Sequence, residues 1–101
     1  MKLLQLFQEV KDEKLSKEQI EDYHKQLSEL RADIKIELAG IQKERAMFML
    51  KDMEKLEKSV AQAKIEWSGT EKGQREIELK AYVSATTDHI NSLKTRIYAL
   101  L

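Results

Sequence analysis

Two histidines are the residues of this sequence with the widest chemical repertoire. Glu21 and His24 stand in a Glu-x-x-His spacing, which puts a carboxylate and an imidazole on one helix face, as in di-iron carboxylate sites. Such a site needs a second copy of the motif and two further glutamates, and the chain contains the motif once. The sequence therefore predicts no metal site, and we interpret His24 as a surface or interface residue.

The sequence also offers no residue that is clearly placed to act as a nucleophile. His89 follows Asp88, but no motif places a serine beside them. The chain has no cysteine to act as a nucleophile, a thiolate ligand or half of a disulfide. The sequence predicts a protein that is not an enzyme, with no catalytic residue and no cofactor.

Charge and hydropathy restrict the partners of the protein. Lys plus Arg and Asp plus Glu both number 18, so the net charge is zero, which disfavours a dedicated binder of nucleic-acid phosphates. No apolar run approaches the ~18 residues of a membrane span, and we find no signal-peptide pattern. We expect a cytoplasmic protein with no membrane span.

Helices must position all of these residues, since the chain of 101 residues has no proline and only three glycines. Ser16 and Gln19 are spaced as a capping box, so a helix is expected to begin there. At Ser68-Gly69-Thr70 the sequence predicts a turn, in which Gly69 takes a positive φ and Thr70 caps the next helix. We predict one helical domain over 1–101, with a short helix over 2–14, a long helix over 16–66 and a C-terminal helix over 71–99.

The apolar stripes of the long and C-terminal helices fit an antiparallel pair. With the turn at 68–70, Leu56 faces Val83 and Ala46 faces Leu93, and the pairing extends to both ends of the overlap. Gly40 is interpreted as a bend or a close-packing point of the long helix. The fold class is therefore predicted to be all-α, a long antiparallel coiled-coil hairpin with a short N-terminal helix.

This hairpin leaves the beginning of the long helix without a partner. Its apolar stripe needs cover, and two solutions exist: the short helix folds back over it, or a second copy pairs with it. We favour the second copy, which makes the protein a homodimer or a higher oligomer. The oligomer interface is then formed by Ile20, Tyr23, Leu27, Leu30 and Ile34.

Candidate contacts with another protein lie near the middle of the chain. Met47 and Phe48 belong to a soft, methionine-rich patch of the kind that adapts to varied partners. Helix-to-helix docking is the expected mode of binding. Nucleic acid is a less favoured partner, which an oligomer would contact by aligning Lys72, Arg75 and Lys80 from two copies.

Three segments carry a family resemblance: Ala61 to Lys64, Gly69 to Glu76, and Ile90 to Ile97. Through them residues 56–101 resemble small helical proteins of bacteriophages and prophages, which are encoded near single-strand annealing recombinases and single-strand binding proteins. The resemblance implies a non-enzymatic protein in the host cytoplasm that binds a host factor, a defence system or a recombination partner. Candidate contacts within it are Trp67, Arg75 and Arg96, and the alternative function is a single-stranded nucleic-acid-binding recombination accessory.

Trp67-Ser68-Gly69 carries a second resemblance. The tripeptide is similar to the Trp-x-Gly turn of the WXG100 family of secreted helical hairpins, and the chain length fits. The predicted turn lies two-thirds along the chain rather than near its middle, and the C-terminal Tyr-x-x-x-acidic signal is missing. A secreted hairpin of this type stays an alternative function.

Overall fold

The computed structural model describes residues 2–100, and over this range the chain forms helices and no strand. The all-α helical hairpin is confirmed, because α2 packs against α4. Two compact units are present: unit 1 comprises Met1–Ile34 and Tyr82–Leu101, and unit 2 comprises Lys35–Ala81. The helices are α1 (Lys2–Glu9), α2 (Lys17–Lys55), α3 (Val60–Ser68) and α4 (Glu71–Ala99).

The start of α2 is the capping box that the sequence predicts. The Gln19 N–H donates to Ser16 Oγ at 3.2 Å, and the Ser16 N–H donates to Gln19 Oε1 at 2.8 Å. Each side chain thus satisfies a backbone donor that the first helical turn leaves free.

The end of α2 differs from the prediction, since the helix stops at Lys55 and not at residue 66. Glu57 has a φ of 53°, in the left-handed region, and the Lys58 N–H donates to the Asp52 carbonyl at 3.1 Å. Ser59 then begins α3 with a second capping box, formed with Gln62. The single helix over 16–66 is therefore wrong, because a left-handed residue and a new N-cap interrupt it.

This interruption moves the turn of the hairpin to residues 56–59. Lys72 Nζ lies 2.7 Å from Glu44 Oε1, and Arg75 Nε lies 3.0 Å from Glu37 Oε1, so α4 runs antiparallel to α2 within unit 2. The predicted register, with its turn at 68–70, is wrong. Residues 60–68 belong to the returning arm, and α3 precedes α4 in it.

At the junction of α3 and α4, residues 69–70, the predicted cap is present, but the predicted backbone conformation of Gly69 is not. Thr70 caps α4, because its Oγ1 accepts from the Gly73 N–H at 3.0 Å. Gly69 has a φ of −80°, so the predicted positive φ is wrong. The glycine with a steric role is Gly73, where a Cβ would lie 1.9 Å from the Trp67 carbonyl oxygen. At Gly40 a Cβ would meet nothing within 4 Å, so the predicted close packing there is absent.

Unit 1 buries the stripe that the sequence left without cover. Ile20 is 2% exposed and Leu27 is fully buried, in a core shared with α1 and α4. Tyr23, Leu30 and Ile34 pack against the same core. The prediction of an oligomer interface is therefore wrong for Ile20 and Leu27, because both are buried within unit 1. For Tyr23, Leu30 and Ile34, which stay partly exposed, the interface remains a prediction. Buried members of this core are Leu3, Leu6, Phe7, Val10, Ile20, Leu27, Ile90 and Leu93.

Arg96 fixes the chain that follows α1. Its guanidinium donates to the carbonyls of Val10 at 2.9 Å and Asp12 at 2.7 Å. These are backbone acceptors just beyond α1, which ends at Glu9 and not at residue 14 as predicted. A cation at a helix C-terminus also complements the helix dipole, so Arg96 has a structural role in unit 1.

Candidate docking surface

One face of α2 in unit 2 is exposed and largely apolar, with Lys43 at its centre. We call it the α2 face. Ile36 is 72% exposed, Met47 65%, Leu50 55% and Met53 41%. The complete α2 face consists of Ile36, Ala39, Gly40, Ala46, Met47, Leu50 and Met53, all of them exposed.

The spacing of these residues is that of a helix–helix seam. Ile36, Ala39, Ala46, Leu50 and Met53 follow the alternating three- and four-residue steps of a heptad pattern, with residue 43 at the remaining step. Such a pattern keeps one stripe of a helix against a partner helix. Within unit 2 the stripe has none, since these side chains are exposed.

The opposite side of α2 faces the core of unit 2. Ile41 is 9% exposed, and the Phe48 ring lies 5.5 Å from the Trp67 ring of α3. Of the two patch residues that the sequence proposed as partner contacts, Met47 lies on the α2 face, whereas Phe48 packs inward. Trp67, another proposed contact, is only 5% exposed, so its ring is not available to a partner at the surface.

A buried polar cluster holds Trp67 in place. The indole Nε1 donates to Glu76 Oε1 at 3.0 Å, and Arg45 Nη1 lies 3.0 Å from Glu76 Oε2. Glu76 is 4% exposed, so its charge is balanced mainly by Arg45, with Lys80 at 3.9 Å. Beside this cluster is a cavity of about 460 Å³, lined in part by Met49 and Lys64.

A second polar cluster lies at the turn of the hairpin. Asp52 is 4% exposed, and its Oδ2 receives no N–H or O–H from the described part of the chain. A hydrogen bond with the Glu66 carboxylate raises the pKa of Asp52, and burial adds to the effect. The same hydrogen bond, together with Lys58, lowers the pKa of Glu66. The pKa values of the two carboxyl groups therefore shift in opposite directions, that of Asp52 upward and that of Glu66 downward.

Charges around the α2 face fall into paired and unpaired sets. Glu37 and Glu44 are engaged by Arg75 and Lys72 of α4. Lys43, at the centre of the face, forms no ion pair with any residue in the range 2–100, and Lys35 and Lys51 form none either. All three lysines are exposed.

Two of the cations proposed for nucleic-acid contact, Lys72 and Arg75, form ion pairs within the chain. Arg75 binds Glu37 through two hydrogen bonds and also contacts Glu78. The hydrogen bonds that it donates to the Glu37 carboxylate are the main cause of the raised pKa of Arg75. Lys72 is paired with Glu44, and Arg96 holds the backbone carbonyls after α1.

Neither histidine lies in a constellation with evident chemistry. The His89 ring stacks on Phe7 at a centroid distance of 4.5 Å, and burial lowers its pKa. A cavity of about 380 Å³ adjoins it, lined by Val10, Lys11, Glu13, Ser92 and Arg96. Glu21 is exposed, and residues 2–100 contain no group of three or more His, Asp or Glu side chains that could hold a metal ion.

No family model, curated protein or solved structure matches the chain. The motif that resembles the WXG100 turn, Trp67-Ser68-Gly69, lies where α3 meets α4, whereas the hairpin reverses at residues 56–59. Among the described residues, no helix is long and apolar enough to cross a membrane.

Among the contacts proposed from the sequence, Met47 lies on the α2 face, and the methionine-rich patch to which it belongs also contains Leu50 and Met53. The other residues of the face, Ile36, Ala39, Gly40 and Ala46, are not part of that prediction. The signal was present, because the heptad steps from Ile36 to Met53 can be read directly. A competing stripe of Ile34, Leu38 and Ile41 obscured it, because that stripe continues the core face of α2. Two apolar stripes on one helix indicate two packing partners. The stripe of Ile34, Leu38 and Ile41 packs toward the core, whereas the α2 face is exposed.

Proposed function

We propose that the protein acts without catalysis, by docking an amphipathic helix of another protein on the α2 face. The observation that carries the proposal is an exposed heptad seam that the chain's own helices leave uncovered. Large apolar side chains that are exposed together on one helix face often mark a binding site.

The chemistry of the face suits a helical partner. Leu50, Met47 and Met53 are large and conformationally adaptable, so they can pack as knobs into the holes of a facing helix. Burying each side chain of this size contributes roughly 1.5–3 kcal/mol before the cost of association. The α2 helix is already ordered by its contacts in the core, so docking does not have to order it.

The resemblance of residues 56–101 to phage-encoded helical proteins bears on the identity of the partner. Under that interpretation the docked helix belongs to a host factor, a defence system or a recombination protein. Self-association and single-stranded nucleic-acid binding are the two competing predictions, and the same experiment separates them.

The test uses a labelled amphipathic peptide of about three heptads, with Leu at the seam positions and neutral polar residues elsewhere. Fluorescence anisotropy is measured with the full chain, with Leu50→Asp and with Ile65→Asp. Ile65 is 72% exposed on α3, outside the α2 face, and is the matched control.

We expect the wild type and Ile65→Asp to bind the peptide and Leu50→Asp to bind at least about tenfold more weakly. Equal binding by all three proteins contradicts the proposal. Binding of a labelled single-stranded oligonucleotide, but not of the peptide, would support the recombination accessory instead.

A further inference from the structure

We propose that the helix recognised by the α2 face is acidic, with a carboxylate that meets Lys43 of this chain. The inference rests on the proposed function and specifies the chemistry of the partner. It follows from the charges that surround the face and from what docking would do to them.

Lys43 occupies the central seam position of the α2 face. Ala39 and Ala46 stand before and after it in the heptad series, and Gly40 and Met47 flank it. A docked helix would cover the stem of Lys43 and take water from its ammonium group. A cation removed from water without a partner is costly, whereas a facing carboxylate restores its interactions.

The surrounding charges favour the same sign of partner. Lys35, Lys43 and Lys51 are eight residues apart, and eight residues advance by about 80° around a helix. The three ammonium groups therefore cross the seam diagonally, from one edge of the α2 face to the other. Glu37 and Glu44 are paired with α4, and Glu54 adds one exposed carboxylate to the three lysines, so the net charge left for a partner on this face is positive. An acidic helix would be attracted and oriented by it.

Small residues add a shape requirement one turn away from Lys43. Ala39 and Gly40 are exposed, and a Cβ at Gly40 would meet nothing within 4 Å. A large apolar side chain of a partner helix can therefore approach the α2 backbone closely here. The expected partner therefore carries a carboxylate and, about one helical turn from it, a bulky apolar residue.

A second copy of the chain fits the face less well. An antiparallel pairing centred on the face would place each Lys43 opposite Ala46 of the other copy, with the two lysines near the symmetry axis. In that arrangement Glu54 of each copy lies opposite Lys35 of the other, but no carboxylate faces the ammonium group of Lys43. Like charges at a seam disfavour the pairing, so we assign the face to a partner of opposite charge.

The experiment compares three seam peptides that differ only at the positions flanking their Leu seam: Glu, Gln or Lys. Each is titrated into the full chain, into Lys43→Glu and into Lys94→Glu. Lys94 is an exposed lysine of α4 in unit 1 and is the matched control for the charge change.

For the wild type and Lys94→Glu, we expect the Glu peptide to bind at least about threefold more tightly than the Gln peptide, and the Lys peptide to bind most weakly. In Lys43→Glu the order of the Glu and Lys peptides reverses. Raising the salt concentration narrows the differences among the peptides.

Equal affinity for the Glu and Gln peptides overturns the inference and leaves the proposed function intact, because the seam still binds. If none of the three peptides binds the wild type, the proposed function fails as well. Two further probes test other occupants: vesicles with phosphatidylserine, and the protein alone by sedimentation. Binding to the vesicles in preference to the Glu peptide, or a dimer abolished by Leu50→Asp, also overturns the inference.

Discussion

Lys58 Nζ lies 2.5 Å from Glu66 Oε1 of α3, beside the turn that reverses the chain, and Asp52 of α2 is buried next to this pair. The interaction between the two carboxyl groups raises the pKa of Asp52 and lowers the pKa of Glu66. The turn contains no glycine or proline, so this cluster and the Ser59 cap close it. The stability of the turn therefore decreases both when the pH rises through the folded pKa of Asp52 and when it falls through the folded pKa of Glu66.

The pKa of Asp52 is raised in the folded state, so its contribution to stability is lost as the pH rises through that pKa. The pKa of Glu66 is lowered, so its contribution is lost as the pH falls through its own folded value. Asp52→Asn replaces the titrating carboxyl group with an amide that donates at every pH. We expect urea unfolding, followed by circular dichroism from about pH 3 to pH 9, to show a smaller loss of stability with rising pH in this variant than in the wild type.

Asp88→Asn is the matched control, because Asp88 is an exposed carboxylate of α4. Its pH profile is expected to match that of the wild type. If stability falls equally with rising pH in Asp52→Asn and in the wild type, the pKa of Asp52 is not raised in the folded protein.

Gly73 cannot be replaced by a residue with a Cβ unless the backbone moves. Its added Cβ would lie 1.9 Å from the Trp67 carbonyl oxygen and 2.7 Å from the carbonyl carbon. We expect Gly73→Ala to lower the free energy of unfolding by about 2 kcal/mol or more, because the backbone must move. Gly40→Ala is the control, and it should raise the free energy by about 0.5–1 kcal/mol because the site is open and helical. Equal effects of the two substitutions would contradict the close approach at Gly73.

Glu57 has a φ of 53°, which costs an ordinary L-residue free energy that glycine avoids. Glu57→Gly is therefore expected to raise the free energy of unfolding by roughly 0.5–1 kcal/mol, measured by urea denaturation. Glu54→Gly, inside the last turn of α2, should lower it by about 1 kcal/mol. If Glu57→Gly is as destabilising as Glu54→Gly, α2 continues through the turn, as the uninterrupted-helix prediction requires.

Leu27 and Leu50 lie on the same helix in opposite environments, fully buried and 55% exposed. Leu27→Asp is expected to destabilise the protein by more than about 3 kcal/mol, because it puts a carboxylate into the core of unit 1. Leu50→Asp should change the free energy of unfolding by less than about 0.5 kcal/mol. Thermal unfolding by circular dichroism measures both effects. A Leu27→Asp protein that stays folded and halves its solution mass would restore the oligomer interface that the sequence predicted.

The fold class follows from the sequence because helix signals agree along the whole chain. The absence of proline, the strong helix formers and the Ser16–Gln19 box all predict what the structure contains. A second box of the same type, Ser59 and Gln62, was equally readable and marks the start of α3. Apolar spacings of three and four that continue across it hid the break.

The register could not be predicted because it depends on where the chain turns. A left-handed Glu57 has no compositional signature, since glycine or asparagine usually fills such a position. With the turn misplaced at the only glycine-containing candidate, every facing pair was displaced. The cover over Ile20 and Leu27 was one of two solutions that sequence alone left open, and burial by α1 decides between them.

Methionine-methyl NMR tests the central claim, the docking of a helix on the α2 face, most directly. Met47 and Met53 lie on the face, whereas Met49 lines the cavity beside Trp67. We expect added amphipathic peptide to shift the methyl resonances of Met47 and Met53 and to leave that of Met49 in place. Shifts at Met49 alone, or no shift at Met47 and Met53 at saturating peptide, would contradict the account.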